Sequence, residues 1–179
     1  TVLFERAVTQ SLIKQYTNAV NTFSSAIELN PSNPFLYLNR STTRAEMIDF
    51  ISSIDNSYQR ITIDSDPANR LNNNSKRTYS YDEAVADLNK AVKLFPDFPY
   101  AYYNRANLLA LSGSLPEAFE DYTKAISLNP AFAEAYYNRG IIQLFMKDTR
   151  KGCLDLSKAG ELGITEAYEV LKRYASLDN

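Results

Sequence analysis

A 34-residue period is the feature of this sequence that most constrains its fold. One column of the period holds an arginine followed by a small residue, at Arg6-Ala7, Arg40-Ser41, Arg105-Ala106 and Arg139-Gly140. A second column holds only small residues, at Ala19, Ala84, Ala118 and Gly152. Two antiparallel helices can approach closely only where side chains are small, so the columns predict one pair of helices in each repeat.

The stretch from Pro99 to Pro130 shows one repeat without interruption. It contains two helical patterns of apolar residues, joined at Ser112-Gly113-Ser114, and it closes on Asn129-Pro130. A glycine-containing turn and a proline that cannot continue a helix are both typical of helix ends. This repeat is therefore predicted to be a hairpin of two helices.

The second repeat carries an insertion. The arginine column steps by 34, 65 and 34 residues and the small-residue column by 65, 34 and 34, which places about 31 extra residues between Arg40 and Ala84. Apolar residues at helical spacing beyond Arg40 predict that the first helix of this repeat extends from Pro34 to about Asn56.

The rest of the insertion, which spans about 51–79, has a different pattern. Tyr58 to Asp64 alternates apolar with polar residues, which predicts a short extended segment. Asp66-Pro67 and the asparagine-rich run from Asn69 to Ser75 predict a loop. The insertion is either a tolerated surface excursion or a functional element, such as a partner contact or a lid over a groove.

The remaining helices follow from the same columns. They are predicted at Val2–Lys14, Tyr16–Leu29, Ser80–Phe95, Pro99–Ser112, Pro116–Leu128, Ala133–Lys147 and Thr149–Glu161. A last helix over 165–177 has one apolar face, formed by Ala167, Val170, Leu171, Tyr174 and Leu177. Repeat arrays need a terminal helix that covers the last exposed apolar face, and this segment is predicted to be that cap.

Composition argues against several classes of function. The net charge is −2 with a pI of about 5.3, so the chain has no basic field for nucleic acid or an anionic membrane. It has no histidine and one cysteine, Cys153, so the commonest general base and metal ligand are missing. We therefore predict no enzyme activity, no metal site and no cofactor. No apolar run spans a bilayer, and the localisation is left open: soluble and intracellular, or periplasmic if an upstream signal was removed.

The period, the paired helices and the small-residue columns resemble the tetratricopeptide repeat (TPR) family. Three repeats end on the family's proline, at Pro31, Pro96 and Pro130, whereas the fourth has Ile164. The resemblance implies an all-α fold, a right-handed α-solenoid of antiparallel helix pairs with about four TPR units and a C-terminal capping helix. It implies a single array over 1–179, with repeats at about 1–33, 34–98, 99–132 and 133–164.

Solenoids of this family present a concave groove formed by the first helix of each repeat. The resemblance implies a groove of aromatic, apolar and amide side chains: Leu38, Asn39, Thr42, Tyr103, Asn104, Asn107, Leu111, Tyr137, Asn138, Ile141 and Phe145. Because a side-chain amide is both a donor and an acceptor, Asn39, Asn104 and Asn138 can pair with the backbone of an extended peptide. The alternative is that asparagine before arginine is a common variant of the repeat without a ligand.

These residues predict a non-catalytic scaffold that binds a peptide or protein segment in the groove. Family members that hold an acidic C-terminal peptide use lysine and arginine beside the asparagines, but here Phe4, Leu38, Tyr103 and Tyr137 stand at those positions. An acidic chaperone tail is therefore not the expected ligand. The alternative is a structural module that forms a homo-oligomer through the insertion or through the uncapped N-terminal face.

The arginine column has acidic counterparts in the second helices. Three repeats contain both members of such a pair, Arg40 with Asp87, Arg105 with Asp121 and Arg139 with Asp155. The first repeat lacks the acid and has Thr22 there. We therefore predict that these pairs are structural ion pairs between helices, with the arginine stems packed on apolar surface, rather than ligand contacts.

Overall fold

The described residues form helices joined by short turns. The computed structural model describes residues 2–65 and 79–175, and within those ranges it contains nine helices and no strand. The helices are α1 (Val2–Leu12), α2 (Tyr16–Leu29), α3 (Pro34–Ser65), α4 (Asp82–Leu94), α5 (Pro99–Leu111), α6 (Leu115–Leu128), α7 (Ala133–Phe145), α8 (Thr149–Glu161) and α9 (Glu166–Ala175). The predicted all-α class and the construction from helix pairs are confirmed. Contacts group the chain into two bodies, an N-terminal body (Thr1–Leu94) and a C-terminal body (Phe95–Asn179).

The N-terminal body contains α1 to α4. Its first core cluster joins α1, α2 and the start of α3 through Ala7, Phe23, Ala26 and Leu36. Between α3 and α4 the small position is Ser41, which is buried and donates a hydrogen bond to the backbone oxygen of Ala84 at 2.8 Å. The hydroxyl therefore finds a partner in the core without adding bulk between the helices.

The C-terminal body contains α5 to α9 and has two clusters. The first is centred on Tyr122 and Ile142 where α5, α6 and α7 meet. The second gathers Leu156 of α8 with side chains of α7 and α9, and Val170, Leu171 and Tyr174 of α9 pack against it. The last helix thus covers an apolar face of α8, as a cap does. Leu177, predicted on the same face, lies outside the described residues.

One position between the small-residue columns carries the largest buried side chains. Phe23, Leu88, Tyr122 and Leu156 occupy it in the four repeats, and each is almost fully buried. Helix pairs that approach closely at small residues leave space beside the contact, and these side chains fill it. Truncating one of these side chains to alanine is expected to lower the free energy of unfolding by about 2–5 kcal/mol. The column therefore stabilises every repeat.

The turns between paired helices share a left-handed residue. Lys14, Gly113 and Lys147 have φ of 60°, 84° and 65° and end the first helices of the first, third and fourth repeats. The equivalent position in the second repeat is Ile48, which lies inside α3. A β-branched residue adopts positive φ only with strain, so the turn is disfavoured here and the helix continues.

Helix α3 is longer than the sequence predicted. It continues through Ser65, so the extended segment predicted at Tyr58–Asp64 is wrong. A helix that is already formed adds residues easily, and α3 meets no glycine or proline between Pro34 and Pro67. This local advantage outweighs a seven-residue alternation of apolar and polar residues. The loop predicted at Asp66-Pro67 and Asn69–Ser75 lies outside the described residues.

The first part of the α3 extension is held against the paired helices. The Phe50 ring lies 5.8 Å from the Tyr16 ring between centroids, and the Lys14 ammonium lies 5.6 Å from the Phe50 centroid. The Tyr81 hydroxyl donates to Asp49 Oδ1 at 2.9 Å, so the chain returning to α4 also contacts the extension. Aromatic and cation–π contacts of this kind contribute about 0.5–1.5 kcal/mol each.

Candidate functional site

The predicted groove positions of the N-terminal body lie on α3 and are already engaged with their own helix. Asn39 donates from Nδ2 to the backbone oxygen of Phe35 at 2.7 Å, and Thr42 donates to the backbone oxygen of Leu38 at 3.1 Å. Leu38 and Asn39 are half-buried and Thr42 is exposed. Any ligand at Asn39 would have to replace this local hydrogen bond or use the amide oxygen.

In the C-terminal body the predicted positions surround a cavity. Its volume is about 430 Å³, and it is lined by Asn107, Ala110, Leu111, Tyr122, Asn138, Ile141 and Ile142. Four of these seven residues, Asn107, Leu111, Asn138 and Ile141, are among the predicted groove residues. We call the surface formed by Asn104, Asn107, Leu111, Asn138, Ile141 and Phe145 the α5/α7 surface. Its apolar members are well exposed, with Leu111 at 64 % and Phe145 at 76 %.

A hydrogen-bond network fixes the polar side of this cavity. Asn107 Oδ1 accepts from the Tyr122 hydroxyl at 2.6 Å and from Asn138 Nδ2 at 3.0 Å. Asn138 Nδ2 also lies 3.4 Å from the Tyr103 hydroxyl. Because Asn107 uses its oxygen in both bonds, the orientation of its amide is defined, and so is that of Asn138.

Tyr122 is the member of this network that the sequence did not place at the site. It belongs to α6, a second helix, and its ring packs in the core with Tyr103 at 5.9 Å between centroids. Burial raises the pKa of its phenol, and the nearby Tyr103 acts in the same direction. The hydroxyl therefore keeps its proton at neutral pH and remains a donor to Asn107.

The three asparagines at repeat spacing have different environments. Asn39 bonds its own helix and Asn138 bonds Asn107, whereas the half-buried Asn104 makes no side-chain hydrogen bond to the residues described. Tyr103 and Tyr137 are half-buried and pack towards the two core clusters. Of the predicted residues, the cavity thus brings together Asn107, Leu111, Asn138 and Ile141, whereas Asn104 and Phe145 do not line it and the two tyrosines pack towards the core.

The arginine column lies against the acidic column. Arg105 Nε is 2.6 Å from Asp121 Oδ2, Arg139 Nε is 2.7 Å from Asp155 Oδ2, and a second bond completes each bidentate pair. Arg40 pairs with Asp87 in the same way, and Arg44 adds a further contact to that carboxylate. The three aspartates are largely buried.

Each of these arginines also stacks on a tyrosine three residues earlier in the chain. The guanidinium carbons of Arg40, Arg105 and Arg139 lie 5.9, 5.6 and 5.6 Å from the ring centroids of Tyr37, Tyr102 and Tyr136. The carboxylate of Asp121 raises the pKa of Arg105 by hydrogen bonding, although burial opposes this. The guanidinium groups are thus occupied by intrachain contacts and do not supply positive charge to the α5/α7 surface.

Two further pockets lie away from this surface. One, of about 570 Å³, is in the N-terminal body and is lined mainly by apolar side chains, including Val2, Phe4, Leu29 and Phe35. A smaller one, of about 220 Å³, lies beside Gln143, whose Oε1 is the one buried side-chain polar atom without a partner among the described residues.

Two kinds of feature are absent from the described residues, a cluster of metal-binding side chains and a helix that could cross a membrane. No group of three or more cysteine, aspartate or glutamate side chains in these ranges is placed to hold a metal ion. Within the same ranges, no helix is both long and apolar enough to cross a membrane. Cys153 is half-buried and packs against the cluster around Leu156.

Comparisons with known proteins agree with this architecture. A family model for the TPR repeat matches residues 80–113 and 106–144, and a tetratricopeptide repeat model matches residues 1–33. No match is found among curated proteins.

Solved structures share the fold at low sequence identity. A crystal structure of MamA superposes with a TM-score of 0.69 at 17 % identity and covers 90 % of this chain and 78 % of that one. A MamA fragment from Desulfovibrio magneticus RS-1 gives 0.67 at 16 % identity, with 89 % and 73 % covered. The first TPR of Spaghetti (RPAP3), bound to the HSP90 peptide SRMEEVD, gives 0.58 at 22 % identity, with 82 % and 91 % covered. The matched repeats span more than half of the sequence, and the chain belongs to the tetratricopeptide repeat family.

Proposed function

We propose that the chain is a scaffold that binds an extended peptide or protein segment on the α5/α7 surface. Membership of the tetratricopeptide repeat family supports a role in protein interaction. The observation that carries the proposal is the cavity between α5 and α7, whose polar side is oriented by the network of Asn107, Tyr122 and Asn138. A preformed polar arrangement lowers the entropic cost of binding.

Two properties of the surface support peptide recognition. Three apolar side chains are exposed, those of Leu111, Ile141 and Phe145. Burying their surface under a partner would contribute favourable free energy to binding. Amide groups beside them provide donors and acceptors for a main chain. The RPAP3 neighbour is a TPR domain with a bound peptide, which is consistent with this use of the fold.

Site-specific photocrosslinking in cells tests the proposal. A photoreactive phenylalanine analogue replaces Leu111 on the α5/α7 surface, and a control chain carries it at Lys124, which is exposed on α6. We expect a crosslinked protein from position 111 that is absent from position 124. Equal crosslinking from both positions, or none from position 111, would contradict the proposal.

Mutation of the amides adds a second test once a partner has been captured. Replacement of Asn104 and Asn138 together by alanine should weaken the partner by about tenfold, as expected for two hydrogen bonds of about 0.5–1.5 kcal/mol each. Asn39→Ala is the matched control, because that amide already bonds Phe35. Unchanged affinity in the double variant would show that the asparagines are not ligand contacts.

Self-association is the second candidate function, and one observation favours it. The pocket of the N-terminal body lies beside exposed apolar residues: Leu29 is 79 % exposed and Phe35 is 43 % exposed. Covering such a face with a second copy would bury apolar surface. Analytical ultracentrifugation of the chain and of a Leu29→Lys variant tests self-association. A concentration-dependent dimer that the variant does not form would support self-association. A monomer in both would exclude it.

A further inference from the structure

The α5/α7 cavity contains no charged side chain. Of its seven lining residues, four are aliphatic and three are neutral polar residues. The arginines of the same two helices, Arg105 and Arg139, are held by Asp121 and Asp155. A ligand carboxylate or ammonium group buried here would therefore lose its hydration and find no opposite charge. The volume, about 430 Å³, is within the range of about 300–1,000 Å³ that is usual for ligand pockets.

The internal network leaves the Nδ2 group of Asn107 available as a donor and Oδ1 of Asn138 available as an acceptor. Asn107 accepts two bonds at Oδ1, so its Nδ2 hydrogens remain to be used. Asn138 donates from Nδ2, so its Oδ1 remains as an acceptor. Neither atom is sealed from solvent, because Gln143 Oε1 is the one buried side-chain polar atom without a partner in the described ranges.

This pattern is complementary to a peptide main chain. Asn138 Nδ2 lies 3.0 Å from Asn107 Oδ1, so the two amides are adjacent, and both line the cavity together with Ile141 and Leu111. The C=O and N–H of a main chain need one donor and one acceptor. An aliphatic side chain between these groups can enter the apolar part of the cavity.

Resting on the proposed function, we infer that the cavity selects a segment with an uncharged aliphatic anchor residue. The anchor side chain packs among Ala110, Leu111, Ile141 and Ile142, while its main-chain groups bond Asn107 Nδ2 and Asn138 Oδ1. The ligand class is therefore an internal, neutral stretch of extended polypeptide. It differs from the acidic peptide SRMEEVD that is bound in the RPAP3 structure.

A displayed library of random 12-residue peptides is the probe. The purified chain selects binders, and an Ile141→Lys variant places a charge at the rim of the cavity to identify peptides that use it. We expect the enriched peptides to share one leucine, isoleucine, valine or methionine without flanking acidic residues. Synthetic copies should bind Ile141→Lys at least tenfold more weakly in fluorescence anisotropy.

An amide-to-ester scan of one such peptide tests the main-chain bonds. Replacing the N–H that faces Asn138 by an ester oxygen should weaken binding by about two- to tenfold in the wild-type chain, the effect of one hydrogen bond of about 0.5–1.5 kcal/mol. The same replacement should have no further effect in Asn138→Ala. The Asn39→Ala variant should behave as the wild type does, since Asn39 does not line the cavity and its amide bonds the backbone oxygen of Phe35. Thermal melts of the variants verify that they are folded.

The outcomes separate this inference from the proposed function. If no enriched peptide distinguishes the wild-type chain from Ile141→Lys, the α5/α7 surface is not a peptide site and both are overturned. If cavity-dependent peptides carry a charged or aromatic consensus, or if the ester scan is flat, the aliphatic anchor is overturned while peptide binding stands. An aliphatic consensus with a single sensitive ester supports the inference.

Discussion

Loss of one buried arginine tests how the repeats are held together. In the variant Arg139→Met the apolar stem is kept but the guanidinium group is removed, which leaves the Asp155 carboxylate unpaired. That side chain is only 11 % exposed, and it loses two bonds, of 2.7 and 2.8 Å. Removing one partner of a fully buried ion pair costs about 3–5 kcal/mol, and an exposed pair contributes about 0–1 kcal/mol. For this largely buried pair we expect about 2–3 kcal/mol.

Urea and thermal unfolding followed by circular dichroism measure this loss. For a chain of this length each kcal/mol lowers the midpoint temperature by about 2–4 °C, so a fall of about 5–10 °C is expected. The first repeat provides the matched control. Arg6 is exposed, and the acidic column has Thr22 in this repeat, whose hydroxyl donates to Gln10 at 2.7 Å. Arg6→Met should therefore cost less than about 0.5 kcal/mol.

A third variant separates loss of the pair from loss of packing. Arg139→Met with Asp155→Leu removes both charges, and it should recover most of the stability, because no uncompensated carboxylate remains. If Arg139→Met lowers stability no more than Arg6→Met does, the ion pair contributes little. The arginines would then recur at this position because their stems pack on apolar surface and their guanidinium groups stack on tyrosine. If the double variant is no more stable than Arg139→Met, the unpaired carboxylate is not the cause of the loss.

Two further changes test the packing of the helices. Ala118 is fully buried where α5 and α6 approach each other. The variant Ala118→Leu should overpack this helix pair and lower the free energy of unfolding by about 1–3 kcal/mol. A thermal melt that shows no loss of stability would contradict the alignment of the repeats. Phe50→Ala removes the contacts with Tyr16 and Lys14 and should increase hydrogen exchange in the adjoining turns of α3, whereas the equally exposed Ile51→Ala should change it less.

Much of the fold was predictable because this chain contains several copies of one pattern. Comparing repeats serves as an internal alignment: a small residue that recurs every 34 positions indicates a close helix contact. The repeats also contain a sequence signal for the cavity. Tyr122 is the one tyrosine in its column, where the other repeats have Phe23, Leu88 and Leu156. Asn107 is likewise the one amide in its column, so the two substitutions occur together in a single repeat, as expected of bonded partners.

Equal spacing did not predict equal environments. Asn39, Asn104 and Asn138 occupy one column, but an amide bonds whichever group is nearest, and neighbours differ between repeats. Asn138 bonds Asn107 of the preceding repeat, but Val8 stands at the equivalent position for Asn39 and has no polar side chain, and Asn39 bonds its own backbone at Phe35. The column defines which face the asparagines share. The side chains around each one decide whether its donors and acceptors are available to a ligand.

The length of α3 shows how a local residue controls the larger architecture. Lys14 and Lys147 adopt positive φ although they are not glycine, so the sequence signal for this turn is weak, and only Gly113 marks it clearly. Ile48 at the same position excludes the turn on steric grounds. Without the turn the helix continues, and α3 runs through Ser65 because no glycine or proline after Pro34 opposes it. A repeat that lacks its turn in this way needs extra residues to bring the chain back to its second helix, which explains why the insertion lies between Arg40 and Ala84 and not elsewhere.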